Sequence, residues 1–253
     1  MRDFEDSTLW RISAFERMRQ QTGSSGFQRL EGPSVLSSTL LADLQREERD
    51  TDQLDALELV AACMRHREPA LIYLQHAGLV WPVTLFPDRM LYHSPRDVTS
   101  ATDAALADLK QLGVEPPGVR PPGHLKSERV GHAHHYHELA PLLWAMAVRG
   151  PRSQLLREIG GTAAYRLLPG NLPEGLVAGG ANGSALERLR VTSVALREIA
   201  TWPGMSLERA SRLLNALYLF SALLVTRGTR AAREQPQGDV RPRGLFDFFK
   251  PRR

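Results

Sequence analysis

Three runs decide the fold: Ala70-Leu-Ile-Tyr-Leu-Gln75, Gly78-Leu-Val-Trp-Pro-Val-Thr-Leu-Phe86 and Met90-Leu-Tyr-His93. Each is short, apolar and rich in β-branched or aromatic residues, and Pro87-Asp88-Arg89 is a turn between the last two. They read as an antiparallel meander. Pro82 has no N–H for a ladder, so it marks an edge or a bulge. Outward from the meander the periodicity is mostly helical. Leu9, Ile12 and Phe15 predict a helix over Ser7–Gln21, ended by Gly23-Ser-Ser-Gly26. Asp52 is the expected cap of a second helix through Leu54, Leu57, Val60 and Cys63, closed by His66-Arg-Glu-Pro69 because proline disfavours helix in the residue before it. Ser100–Leu112, capped by Thr99 or Ser100, and His137–Val148 read as further helices, and Ser153–Ile159 as a shorter one. Residues 114–131, with two Pro-Pro pairs, read as an extended linker or surface loop. Thr162–Leu168 reads as strand or helix. The expectation is an α+β chain, mostly helical, with a small meander in its N-terminal part.

Composition excludes several classes. The 253 residues are 42% apolar and 24% charged, so the chain is neither wholly disordered nor collagen-like, and it is long enough to bury a core. The single cysteine, Cys63, forbids an intrachain disulfide and fits a reducing compartment. No secretory pattern opens the sequence, and the apolar run Leu214–Val225 is shorter than the ~20 residues a membrane span needs. These features predict a cytoplasmic protein. The net charge of +4 suggests nucleic acid until it is placed along the chain. Residues 227–253 hold eight basic and three acidic residues, a net +5, which leaves −1 for residues 1–226. The basic balance is therefore the property of a tail. Only three of the 32 basic residues are lysines, and the arginines are spread evenly, as codon bias would spread them.

Residues 184–230 carry the most distinctive order. Ser184 is the expected cap of a helix to Arg190, and Ser193 that of Val194–Ala200. Trp202-Pro-Gly-Met205 is a tight connection. Ser206 then caps a third helix, with Glu208 in its first turn and Leu207, Ala210, Leu213, Leu214 and Leu217 on one face. Leu223–Thr226 reads as a strand leading into Arg227-Gly-Thr-Arg230. The segments Leu196-Arg-Glu-Ile-Ala200, Pro203–Leu217 and Leu224-Val-Thr-Arg-Gly228 resemble a winged helix-turn-helix. The resemblance implies a recognition helix whose outward side chains are Arg209, Ser211, Arg212 and Asn215, with Arg227 and Arg230 reaching phosphate from a wing. The same module can serve as a protein docking surface. Its balance from Ser184 to Thr226 is only +2, and Glu208 stands at the groove-facing end, so the protein-facing use is the stronger expectation.

Other constellations are weaker. Gly131-His-Ala-His-His-Tyr-His-Glu138 places His132, His134, His135 and His137 together as candidate metal ligands, against a solvated helix start. Gly179-Gly-Ala-Asn-Gly-Ser184 before a helix has the glycines of an anion cradle, but no P-loop lysine and no preceding strand, so residues 171–183 read as a linker. Asn182-Gly-Ser matches a glycosylation acceptor without other signs of secretion. Asp50-Thr-Asp52 reads as capping and Cys63 as an inert buried thiol. The tail 231–253 reads as disordered and basic, with Leu245, Phe246, Phe248 and Phe249 as a docking peptide or a segment that folds back.

The organisation expected is a helical segment (1–30), an α/β domain (31–170), the linker, the winged-helix-like module (184–230) and the tail. The function expected is a non-catalytic regulatory or adaptor protein that binds a protein partner and needs no cofactor. A DNA-binding regulator is the alternative and a metal-binding protein the weaker one. The sequence sets no oligomeric state.

Overall fold

The computed structural model describes residues 9–22, 35–50, 55–99, 106–126, 128–168, 170–173 and 179–228. Asp52, Ser100, Arg230 and the aromatic tail lie outside them. Two antiparallel sheets organise the described chain. In the first, β2 (Ala70–His76) and β3 (Leu79–Phe86) form a hairpin across Ala77 and Gly78, whose φ values of 49° and 75° give the doubly left-handed turn that suits twisted strands. β4 (Leu91–His93) continues the meander after a 3-10 turn at Pro87–Arg89. Pro82 is tolerated because β3 is locally an edge: Leu79 and Val80 pair with β1 (Trp10–Arg11) and Thr84–Phe86 with β4, leaving 81–83 without a strand on that side among the described residues.

The meander is extended by β5 (Lys110–Glu115) beside β2 and β6 (Tyr136–Glu138) beside β4, making a six-stranded sheet. This corrects the mostly helical reading: the structure has 44% helix and 22% strand, an α+β chain built on a sheet. The expected helix over Ser100–Leu112 is the main error. Its described part is a 3-10 turn at Leu106–Asp108 followed by β5. Leu112 and Val114 alternate with Gln111 and Gly113, and β2 offers an open edge that pairs Ile72 with Val114.

Alternation explains why β2 and β3 are mostly apolar. Ala70, Ile72 and Leu74 with Trp81, Val83 and Leu85 enter the main core, whereas Leu71, Tyr73 and Val80 pack with Phe15 on the other face. Phe15 comes from α1 (Ile12–Thr22), and its ring lies 5.0 Å from that of Tyr73. The main core is filled by α2 (Ser38–Asp50), α3 (Ala56–His66) and α4 (Leu139–Arg149). α3 is capped by Asp55, which accepts from Leu57 N, three positions after the expected cap. It ends at Arg67 in the left-handed region.

The second sheet has the order β8-β7-β9, with β7 (Ala164–Leu167), β8 (Val194–Ala195) and β9 (Leu223–Thr226). Around it stand α5 (Gly180–Val191), the one-turn α6 (Leu196–Ile199) and α7 (Leu207–Leu219). Two boundaries differ from expectation. α5 begins at Gly180, inside the supposed linker, so Ser184 is not its cap, and α6 is preceded by β8 rather than by a Ser193 cap. Ser206 does cap α7, accepting from Arg209 N at 3.1 Å. The supposed boundary at 171–183 is not a break in packing. β7, from before it, is the central strand between β8 and β9, and one apolar core runs from Leu36 to Leu223.

An ion pair on a buried carboxylate ties α3 to the segment that follows α4. Arg152 reaches Glu58 at 2.6 Å and Asp55 at 2.7 Å, and the Glu58 side chain is 3% exposed. Arg152→Ala therefore withdraws the cation from a buried carboxylate and is expected to cost about 3–5 kcal/mol in urea unfolding. Loss of less than about 1 kcal/mol would show that the pair adds little to the stability of the fold.

Candidate functional site

A cleft of about 740 Å³ opens between the start of α5, the turn before α7 and the first turns of α7. Gly179, Gly180, Ala181 and Asn182 form one wall, Gly204, Met205 and Ser206 a second, and Glu208, Arg209 and Arg212 a third, with Val148 at the end of α4. Local sequence fixes these walls. Gly204 has a φ of 74°, and a Cβ there would stand 2.9 Å from the Ala181 Cβ, so glycine is required both by the turn and by the close approach of α5. α5 has no side-chain cap: Gly179 supplies only backbone, which leaves the first N–H groups of the helix without a capping side chain.

The residues expected to face outward from α7 divide sharply. Arg209 is exposed and donates Nη1 to Gly204 O at 2.5 Å. Arg212 is spent on the fold: it donates to Val148 O at 2.9 Å and Gly150 O at 2.7 Å, and it pairs with Glu208 at 2.8 Å. Ser211 is buried and bonds back to Leu207 O. Asn215 is fully buried, accepting from Leu156 N at 2.8 Å and donating to Gln154 O at 2.9 Å. The face read as groove-facing is thus an inward face, because residues 148–156 lie across it. The same contacts explain why Ser153–Ile159 is not a helix. The N–H groups of Leu156 and Arg157 are taken by Asn215 and by Glu58, and only Arg157–Ile159 forms a 3-10 turn. Arg227 donates to Glu158 O at 2.5 Å, and β9 pairs with the upstream β7.

The histidines form a run of ring contacts, one stacked and the others edge-on. His132 and His134 stack at 5.6 Å, His134 meets His135 edge-on at 4.1 Å, and His135 meets His93 at 5.6 Å. His137 lies apart, against Tyr92 at 5.1 Å. Among the described residues no group of three or more His, Cys, Asp or Glu side chains is placed to hold a metal ion. His93 was missed in the sequence because β4 brings it there from a distance of some forty residues; Gly131 leaves room for it, since a Cβ would approach its Nε2 to 2.6 Å. Burial, with His135 and His137 alongside, pushes the His93 imidazole down to about 4. Burial likewise pushes the Cys63 thiol up to about 12, so it is held as the neutral thiol.

Two outcomes follow from these contacts. Asn215→Ala strips a buried N–H and a carbonyl of their partners, and a fall in the free energy of unfolding of about 2–4 kcal/mol against the wild type is expected. His93 is neutral when folded but takes a proton near the ordinary pKa when unfolded, so its contribution is intact above about pH 6.5 and is lost as the pH falls towards 4. Urea midpoints at neutral pH and near pH 4.5 should diverge less in His93→Phe than in the wild type; equal divergence would remove His93 as the acid-sensitive group. Comparison with protein-family models, with curated proteins and with solved structures finds no match.

Proposed function

We propose that this chain is a non-catalytic regulatory or adaptor protein of the cytoplasm that acts by binding another protein. The observation that carries the reading is the inward face of α7. Arg212 and Asn215 hold the 148–156 segment and Ser211 is buried on its own helix at Leu207 O, so a helix laid in a DNA groove would bring Arg209 alone of the four side chains. The cleft beside it offers groups that bind and orient: a guanidinium, an amide, a hydroxyl and backbone N–H groups. The single buried cysteine supports a reducing compartment. No helix among the described residues is long and apolar enough to cross a membrane.

The test is co-purification of the tagged full chain from its own cells after nuclease treatment, with and without residues 244–253. A stoichiometric protein that rebinds the purified chain is the expected result, and its loss on truncation would assign Leu245, Phe246, Phe248 and Phe249 to the contact. Retention of nucleic acid alone, with steeply salt-dependent duplex binding, would replace this reading with the DNA-binding one.

A further inference from the structure

We propose that His132, His134 and His135 form a site for one divalent transition-metal ion of the zinc type; the site is separate from the protein contact proposed above and stands or falls without it. The three rings cluster around one short turn. Their centroids are 5.6 Å apart for His132 and His134, 5.9 Å for His132 and His135, and 4.1 Å for His134 and His135. An imidazole nitrogen sits about 2.0–2.1 Å from zinc, which puts two ring centres of a tetrahedral site roughly 5 Å apart. The backbone beneath the rings is fixed. His135 N donates to His132 O at 3.0 Å across the turn, and Ser94 N, just after β4, donates to His135 O at 2.9 Å. His135 is buried, with the ring of His93 edge-on to it at 5.6 Å, while His132 and His134 are exposed. One inner ligand is thus held by the sheet, and two outer ones can close on an ion that arrives from solvent.

As they stand, no three of these side chains among the described residues are placed to hold a metal ion. The step that closes the site is rotation about χ2. This torsion is broad and roughly two-fold for histidine, and it turns the nitrogens while leaving the ring centre nearly in place. The donors select the ion: imidazoles suit zinc, nickel or copper, whereas magnesium and calcium take oxygen. Strand register decides which histidines belong. His93 pairs with Thr84 and with Tyr136, on the face of the first sheet that carries α1. His137 pairs instead with Tyr92, whose ring lies in the main core. Alternation therefore removes His137 from a set that the sequence groups as four. Ligation would stiffen the turn where the proline-rich loop returns to the sheet. Beside that turn the Tyr136 hydroxyl donates to Arg120 O and accepts from Gly131 N.

The test uses the tag-free full chain with zinc chloride, in isothermal titration and in thermal unfolding, and cobalt(II) as the spectroscopic probe. Expected are one zinc per chain, no binding of magnesium, and the intense visible absorption of tetrahedral cobalt. Zinc at a hundredfold excess over its Kd should raise the Tm by about 5 °C. His132→Ala/His134→Ala changes two exposed side chains and should keep the far-UV circular dichroism of the wild type, yet lose about a hundredfold or more in zinc affinity. His137→Gln and His124→Ala should bind zinc as the wild type does. Absence of a one-to-one complex, an octahedral cobalt spectrum, or a loss in His124→Ala equal to that in the double variant would each overturn the proposal. An equal loss in His137→Gln would do the same, because the ligands would then not be those that the strand register selects.

Discussion

The segment from Gly150 to Ile159 has little regular structure, and its attachment by side chains of two helices is the constraint on which the rest depends. Glu58 of α3 accepts the Arg157 N–H, Asn215 of α7 grips Gln154 and Leu156, and Arg212 takes the Gly150 carbonyl. Buried backbone must find partners, and here polar side chains substitute for a helix or a ladder. The consequence is geometric. α3 and α7 come from opposite ends of the chain, yet both are fixed to the same strip of backbone, with Arg152 closing the arrangement on Glu58 and Asp55. The second sheet then inherits its position, because β7 follows this strip directly and lies between β8 and β9.

The same economy governs the first sheet. Its two long strands bury both faces, so they need a helix on each side. α1 supplies a thin cover through Phe15, and Arg19 anchors it by donating to Leu112 O on β5. The thick side is shared by α2, α3 and α4, whose apolar residues join those of α7 in one cluster. The two sheets are therefore joined by a common core.

Legibility in the sequence follows the range of the forces involved. The meander, the Ser206 cap and β9 at Leu223–Thr226 were readable because alternation, capping and turn chemistry act over a few residues. β5 was unreadable because Leu109 and Leu112 also satisfy a helical spacing, and only the open edge of β2 decides between them. The Ser153–Ile159 helix failed because Asn215 and Glu58 lie far away in sequence and claim its N–H groups. For the candidate site, the sequence identified Arg209 and the Gly179–Ser184 run separately. It could not bring them together, since their meeting depends on the approach of Gly204 to Ala181. The reading of Ser211 and Asn215 as outward failed for a related reason. A helical wheel locates an apolar stripe, and a short polar side chain beside that stripe faces water or backbone depending on what covers it.

α7 joins fold and site in one element. Of its thirteen residues, Leu207, Glu208 and Arg209 are exposed, whereas Ala210, Ser211 and Leu213–Leu217 are all buried. A helix so consumed by packing can present chemistry to a ligand at its first turn and little beyond it. That turn is held at its base by the Ser206 cap, by Arg209 on Gly204 and by Glu208 on Arg212, so its charged groups are set before anything binds. Side chains ordered in the free protein lose less freedom on association, which favours recognition by a few well-placed groups over a broad apolar contact. The buried part of α7, eight of its thirteen residues, thus acts as the mount for its exposed first turn.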